Sequence, residues 1–123
     1  MKHFLLFFVL SAFLMTMCKT EISVDNTDLI GKWNVVTGER NGQNAPYFSG
    51  FFIEFKDGNV IMTNINESSE NEPGEYQLDK HIITQKTGSG ELVYSIEVFD
   101  ESSMTVLTKM SGNDLKFVLK KSN

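Results

Sequence analysis

The chain has 123 residues, 41% of them hydrophobic, and a formal net charge of -5 from 11 Lys and Arg against 16 Asp and Glu. That length suits one domain with one core, and the acidic balance opposes binding to nucleic-acid phosphates. One Cys and two His exclude an internal disulfide and leave too few nitrogen and sulfur ligands for a closed zinc site.

The first element is an apolar leader. Lys2 and His3 precede the run Phe4 to Leu10, Ser11 and Ala12 loosen it, and Phe13 to Met17 carry it to Cys18 before the polar Lys19-Thr20-Glu21. A basic start and a short apolar stretch form the pattern of a secretory signal, and the run is shorter than the roughly 20 apolar residues of a membrane-spanning helix. Leu14-Met15-Thr16-Met17-Cys18 resembles the lipobox of bacterial lipoproteins, with Met17 where that family carries a small residue. The resemblance implies a signal peptide over residues 1–17, acylation of Cys18 with palmitate-like chains, and a tether over residues 18–28. It also implies residence in the envelope, at the outer membrane or cell surface of a Gram-negative bacterium. The alternative is an ordinary secreted protein with a lone thiol. Loss of the leader removes Lys2, so 10 basic residues face 16 acidic ones and the charge becomes -6. Such a surface is repelled by anionic headgroups, which leaves the lipid anchor as the membrane contact.

Residues 29–123 read as a succession of short strands, because apolar and polar residues alternate between turn formers and no stretch holds a helical period. Leu29 to Thr37 is the first strand. Gly50 to Phe55 is the second, with Phe51, Ile53 and Phe55 on one face. Asp57-Gly58 supplies a hairpin turn into Val60 to Ile65, and the polar stretch Asn66 to Glu72 forms a loop that ends at Pro73-Gly74. Tyr76 and Leu78 alternate with polar neighbours, Asp79-Lys80 turns into Ile82 to Thr84, and Gly88-Ser89-Gly90 leads into Leu92 to Phe99. There Leu92, Tyr94, Ile96 and Val98 share a face. Met104 to Lys109 and Leu115 to Lys120 complete the chain, joined by Ser111-Gly112-Asn113. About eight antiparallel strands in simple succession predict an all-β up-and-down barrel, in which pairing of the first strand with the last removes both exposed edges. A two-sheet sandwich is the alternative, although it calls for longer crossing connections.

Leu29-Ile30-Gly31-Lys32-Trp33 resembles the Gly-x-Trp motif that opens the first strand of lipocalins and of small bacterial lipocalin-like lipoproteins. The resemblance runs from there to the C-terminus. It implies that Gly31 gives a tight start to the strand and that Trp33 closes one end of the barrel. A basic residue of the last strand covers that ring in the family, and here Lys116, Lys120 or Lys121 is available. It further implies that Glu39 to Ser49 is the loop over the cup. Loops held by a rigid scaffold carry specificity, so Tyr47 and Phe48 are candidate contacts for an apolar molecule, with core caps as the other reading.

An eight-stranded barrel either fills itself with side chains or holds one small ligand. Phe51, Ile53, Phe55, Met62, Tyr76, Tyr94, Ile96, Met104 and Phe117 are the interior candidates. Of these Phe51, Tyr76 and Tyr94, together with Tyr47 and Phe48, form the expected ligand set. No catalytic constellation, metal site or cofactor is expected. His81 stands alone as an exposed strand-start residue, and Glu67, Glu70, Glu72 and Glu75 lack the spacing of a calcium loop. The expectation is a monomeric, non-enzymatic envelope lipoprotein that binds a small hydrophobic molecule. The alternative is a solid barrel that serves as an inhibitor or accessory subunit.

Overall fold

The computed structural model describes residues 22–65, 73–88 and 90–122. The leader and Cys18 lie outside the described residues, as do Glu67, Glu70 and Glu72 of the polar loop. Among the described residues nine strands follow one another: β1 Gly31–Arg40, β2 Gln43–Asn44, β3 Phe52–Lys56, β4 Val60–Thr63, β5 Gly74–Asp79, β6 Ile82–Thr87, β7 Gly90–Asp100, β8 Ser103–Met110 and β9 Asn113–Lys121. Strand β2 is a two-residue flap paired to the end of β1. The rest form a ring in chain order, because β1 pairs antiparallel with β3 on one side and with β9 on the other. Head meets tail from Trp33↔Lys121 to Arg40↔Leu115. The described residues therefore form an eight-stranded up-and-down antiparallel barrel, with the sheet edges of β1 and β9 satisfied by each other.

Turn chemistry sets the hairpins. Asn41-Gly42 and Ser111-Gly112 have φ values of 51°, 80°, 51° and 77°, the paired positive φ of two-residue turns whose twist matches that of the flanking strands. β1 and β7 each carry a bulge, between Val35 and Thr37 and between Ile96 and Val98. An extra residue on one strand resets the inward face. In β7 it turns Val98 outward, 57% exposed, and brings Phe99 against the core. Val98 therefore does not share the face of Leu92, Tyr94 and Ile96. Met62 is a second correction. Ile61 and Thr63 are the buried residues of β4, and Met62 sits between them on the opposite face.

The N-terminal end of the barrel is sealed by chain expected to be tether. Val24 is buried and its N–H donates to the Lys80 carbonyl at 2.9 Å. A single helical turn, α1 Asn26–Leu29, then delivers a fully buried Leu29 beneath the barrel. The Trp33 indole N–H donates to the Leu29 carbonyl at 2.8 Å, and Phe99 lies 5.9 Å from its ring. Lys121 provides the cover, with Nζ 5.3 Å from the ring centroid and 3.4 Å from the Asp28 carbonyl it donates to. Gly31 has φ +132° and a Cβ there would come within 2.8 Å of the Lys121 stem. The Gly-x-Trp spacing thus serves both a backbone conformation open to glycine and the passage of the lysine across the indole.

Above this plug the interior is filled. A void able to hold water would leave the atoms around it accessible, yet Trp33, Ile61, Tyr94, Val106, Phe117 and Leu119 are each 0% exposed. Phe55 and Tyr76 meet edge to face at 5.2 Å, an arrangement favoured by ring quadrupoles. Close packing of this kind leaves deep ligand space only where exposure rises, which is toward the other end of the barrel.

Candidate functional site: the open end of the barrel

The open end is built where β1 finishes, β3 begins and β8 turns into β9. Inward-facing Gly38 on β1 makes room for Phe48: a Cβ at Gly38 would lie 2.7 Å from the Phe48 Cβ and 2.9 Å from its Cδ2. The 3-10 turn Pro46–Phe48 holds Phe48 there. The Ala45 N–H donates to the Gly38 carbonyl at 2.8 Å, and the Phe48 and Ser49 N–H groups donate to Ala45 and Pro46 at 3.1 Å each. Phe48 stands 5.0 Å from Phe117, edge on, and 5.4 Å from Phe51. Tyr47 rests against its outer side at 4.5 Å and is 59% exposed. The two aromatics of this segment therefore divide: Phe48 caps the core, and Tyr47 is presented to solvent.

One side of the rim is pinned. The Asn41 side chain donates to Asn113 Oδ1 at 3.0 Å and accepts from the Asp114 N–H at 2.8 Å, while its own N–H donates to the Asp114 carbonyl at 2.7 Å. Between this rim and the aromatic turn lies a cavity of about 360 Å³ whose walls include Arg40, Tyr47, Phe48, Phe51, Ile65 and Leu115. Met110 joins them from β8. A second cavity, of about 420 Å³, opens on the outer wall beside Glu39, Leu107, Lys109 and Lys116. Its flanks carry the ion pairs Lys109–Asp114 at 3.6 Å and Lys116–Glu39 at 3.7 Å, both largely exposed and of little energetic weight. The mouth unites an apolar and aromatic wall with the polar Arg40, Ser111 and Asn113, a combination of the kind found at small-molecule sites.

Beneath the mouth lies a polar row. Leu115 on β9 faces Thr108 on β8, which faces Tyr94 on β7. The Tyr94 hydroxyl donates to Gln85 Oε1 at 2.8 Å, and the Thr108 hydroxyl donates to the Val93 carbonyl at 2.7 Å. Burial raises the Tyr94 phenol far above its ordinary value, because the phenolate has no water to stabilise it. Of the expected ligand set, Tyr47, Phe48 and Phe51 meet at the mouth and Tyr94 lies below it. Tyr76 does not join them. Its hydroxyl donates to Asn26 of the terminal plug at 3.3 Å, and desolvation raises its pKa as well.

Arg40, Ile65, Met110 and Leu115 are mouth residues that strand periodicity did not single out, because nothing local says which end of a strand becomes the rim. Gln85 had a signal: it follows Ile83 by two, so extending β6 past Thr84 places it inside. His81 is half-buried rather than exposed, with Nδ1 buried and without a hydrogen-bond partner among the described residues. Among the described residues no group of three His, Cys, Asp or Glu is placed to hold a metal.

No protein-family model and no curated protein matches the chain. Among solved structures, the chain is similar to bovine odorant binding protein in complex with a selenium-containing odorant, at 16% identity and a TM-score of 0.49, over 86% of this chain and 78% of that one.

Proposed function

We propose that the protein is an exported, lipid-anchored barrel that binds a small hydrophobic molecule at its open end. The observation that carries this reading is the mouth cavity of about 360 Å³ over a filled interior, where Phe48, Phe51, Ile65, Met110 and Leu115 meet the polar Arg40, Ser111 and Asn113. Its size falls in the range of roughly 300–1,000 Å³ usual for ligand pockets. The bound molecule sits in the mouth, against Phe48, Phe51, Ile65 and Leu115, with Tyr47 on its exposed side and Arg40 at the rim. Cys18 supplies the anchor, in keeping with the leader before it. Titration with Nile red tests the binding half: wild type enhances its fluorescence and Met110→Arg, which places a charge in the mouth, abolishes the enhancement. Equal enhancement by both proteins would discard the mouth. A fatty-acid label retained by wild type and lost in Cys18→Ser tests the anchor, and an unlabelled wild type discards it.

A second reading is favoured by the filled interior and by Tyr47, 59% exposed beside an apolar rim. Here the barrel is a rigid scaffold and the mouth loops contact a protein, as exposed aromatics do at interface centres. A stoichiometric partner recovered from envelope extracts, released by Tyr47→Ala and accompanied by no small molecule, selects this reading over the first.

A further inference from the structure

Alternation along β1 sets the direction of Arg40. Glu39 pairs across the sheet with Lys116, and their side chains meet on the outer wall at 3.7 Å. The next pair, Arg40↔Leu115, therefore falls on the inward face, where Leu115 is buried and Gly38 lies buried two residues earlier on β1. Arg40 extends this inward row past the last apolar layer, so its exposed side chain stands over the mouth and shares the cavity wall with Phe48, Met110 and Leu115. Its backbone is held on both sides, by β9 at Leu115 and by β2 at Gln43.

The charge of this arginine is uncompensated. The lysines of the neighbouring outer wall are paired, Lys109 with Asp114 and Lys116 with Glu39. Arg40 makes no ion pair and no side-chain hydrogen bond among the described residues, in a chain that carries 16 Asp and Glu. No carboxylate is among the described residues that line the mouth, and the polar groups beside the guanidinium there belong to the neutral Ser111 and Asn113. A guanidinium offers five N–H donors in a planar fork, a geometry that matches the oxygens of a carboxylate or a phosphate.

We infer that Arg40 anchors the head of the mouth ligand, and that this ligand is an amphiphile with an apolar tail and an anionic oxygen head, a carboxylate or a phosphate. This rests on the mouth reading above. The tail lies on Phe48, Phe51, Ile65 and Leu115. The fully buried Tyr94 and Phe117 stop it below, so the site takes a short chain or a compact ring in preference to a long chain. The head stays at the solvent boundary, where it keeps part of its hydration while it pairs with the guanidinium. Seated deeper, it would lose that hydration without a counter-charge.

The test is a ¹H–¹⁵N NMR titration of the protein with decanoate, decyl phosphate and 1-decanol. The anions move the Arg40 Nε–H signal together with the backbone signals of Phe51, Met110 and Leu115. At low salt they bind about three- to tenfold more tightly than 1-decanol, as a charge-assisted pair partly screened by water provides. In Arg40→Gln, which alters only an exposed side chain without other partners, that preference falls to near one. Lys120→Gln removes the same charge from the outer wall toward the sealed end and retains the preference. A preference for one anion over the other assigns the head as carboxylate or phosphate, and either assignment supports the anchor. 1-Decanol that matches both anions, or an anion preference that survives Arg40→Gln, overturns the anchor and leaves the mouth reading standing. Titrations in which no mouth signal moves discard the mouth reading and the anchor with it.

Discussion

Replacement of Gly38 by Ala isolates the contact that shapes the mouth. The added Cβ would stand 2.7 Å from the Phe48 Cβ, 2.9 Å from Cδ2 and 3.1 Å from Cγ, where carbon atoms prefer about 3.5–4.0 Å. A rotamer change cannot relieve a clash with Cβ, which is fixed to the backbone of a turn tied by Ala45 to the Gly38 carbonyl itself. The turn must lift or the strand must bend, and overpacking of this kind costs about 1–3 kcal/mol. Lifting also takes Phe48 from Phe117 and Phe51, and complete loss of a buried Phe side chain costs about 3–5 kcal/mol. We expect Gly38→Ala to destabilise by about 2–3 kcal/mol in urea unfolding followed by Trp33 fluorescence, with the slope unchanged. Two of the three close contacts are to the ring, so in a Phe48→Ala background the same substitution costs at least about 1 kcal/mol less. Additive effects in the double variant, or a Gly38→Ala protein as stable as wild type, would refute the fit between glycine and phenylalanine.

Trp33→Ala removes the terminal plug with its hydrogen bond to Leu29 and costs about 3–5 kcal/mol; far-UV circular dichroism during heating reads this as a melting point lowered by well over ten degrees or as an unfolded chain. Lys121→Gln removes only a cation over the indole and a long bond to a carbonyl at the surface, so its cost in urea unfolding is about 1 kcal/mol or less. The raised folded-state pKa of Tyr94 fixes the sign of an alkaline effect. Its stabilisation is fully present below the ordinary value of 10.0 and falls as pH rises above that, where the unfolded chain ionises first. Urea midpoints between pH 8 and 11.5 should therefore drop more steeply in wild type than in Tyr94→Phe, and parallel curves would contradict burial as the cause.

The hairpins were legible because their signals are local. Asp57-Gly58, Asp79-Lys80 and Ser111-Gly112 occupy turns, with Gly58, Lys80, Ser111 and Gly112 at φ values of 82°, 57°, 51° and 77°, and period-2 alternation placed Ile53, Phe55, Tyr94, Ile96 and Phe117 in the core. Gly31 and Trp33 announced the sealed end, since the glycine conformation, the indole and a lysine from the last strand form one unit there. What alternation could not foresee is the reset at a bulge, which sent Val98 outward and Phe99 inward, because a bulge depends on the partner strand. Nor could it foresee that residues 24–29 dock as a plug, since a polar stretch with isolated Val24 and Leu29 has no period of its own.

The sequence by itself determined the strands, their turns and the closing tryptophan, all of which follow from side-chain alternation and backbone preferences over a few residues. Only the tertiary structure decided which end stays open and what it contains. Gly38 and Phe48 meet there across ten positions, Tyr94 finds Gln85 across a strand pair, and Leu115 faces the mouth because β9 closes on β1. Those contacts depend on register around a closed ring, a quantity set by all eight strands at once and by no stretch of chain alone.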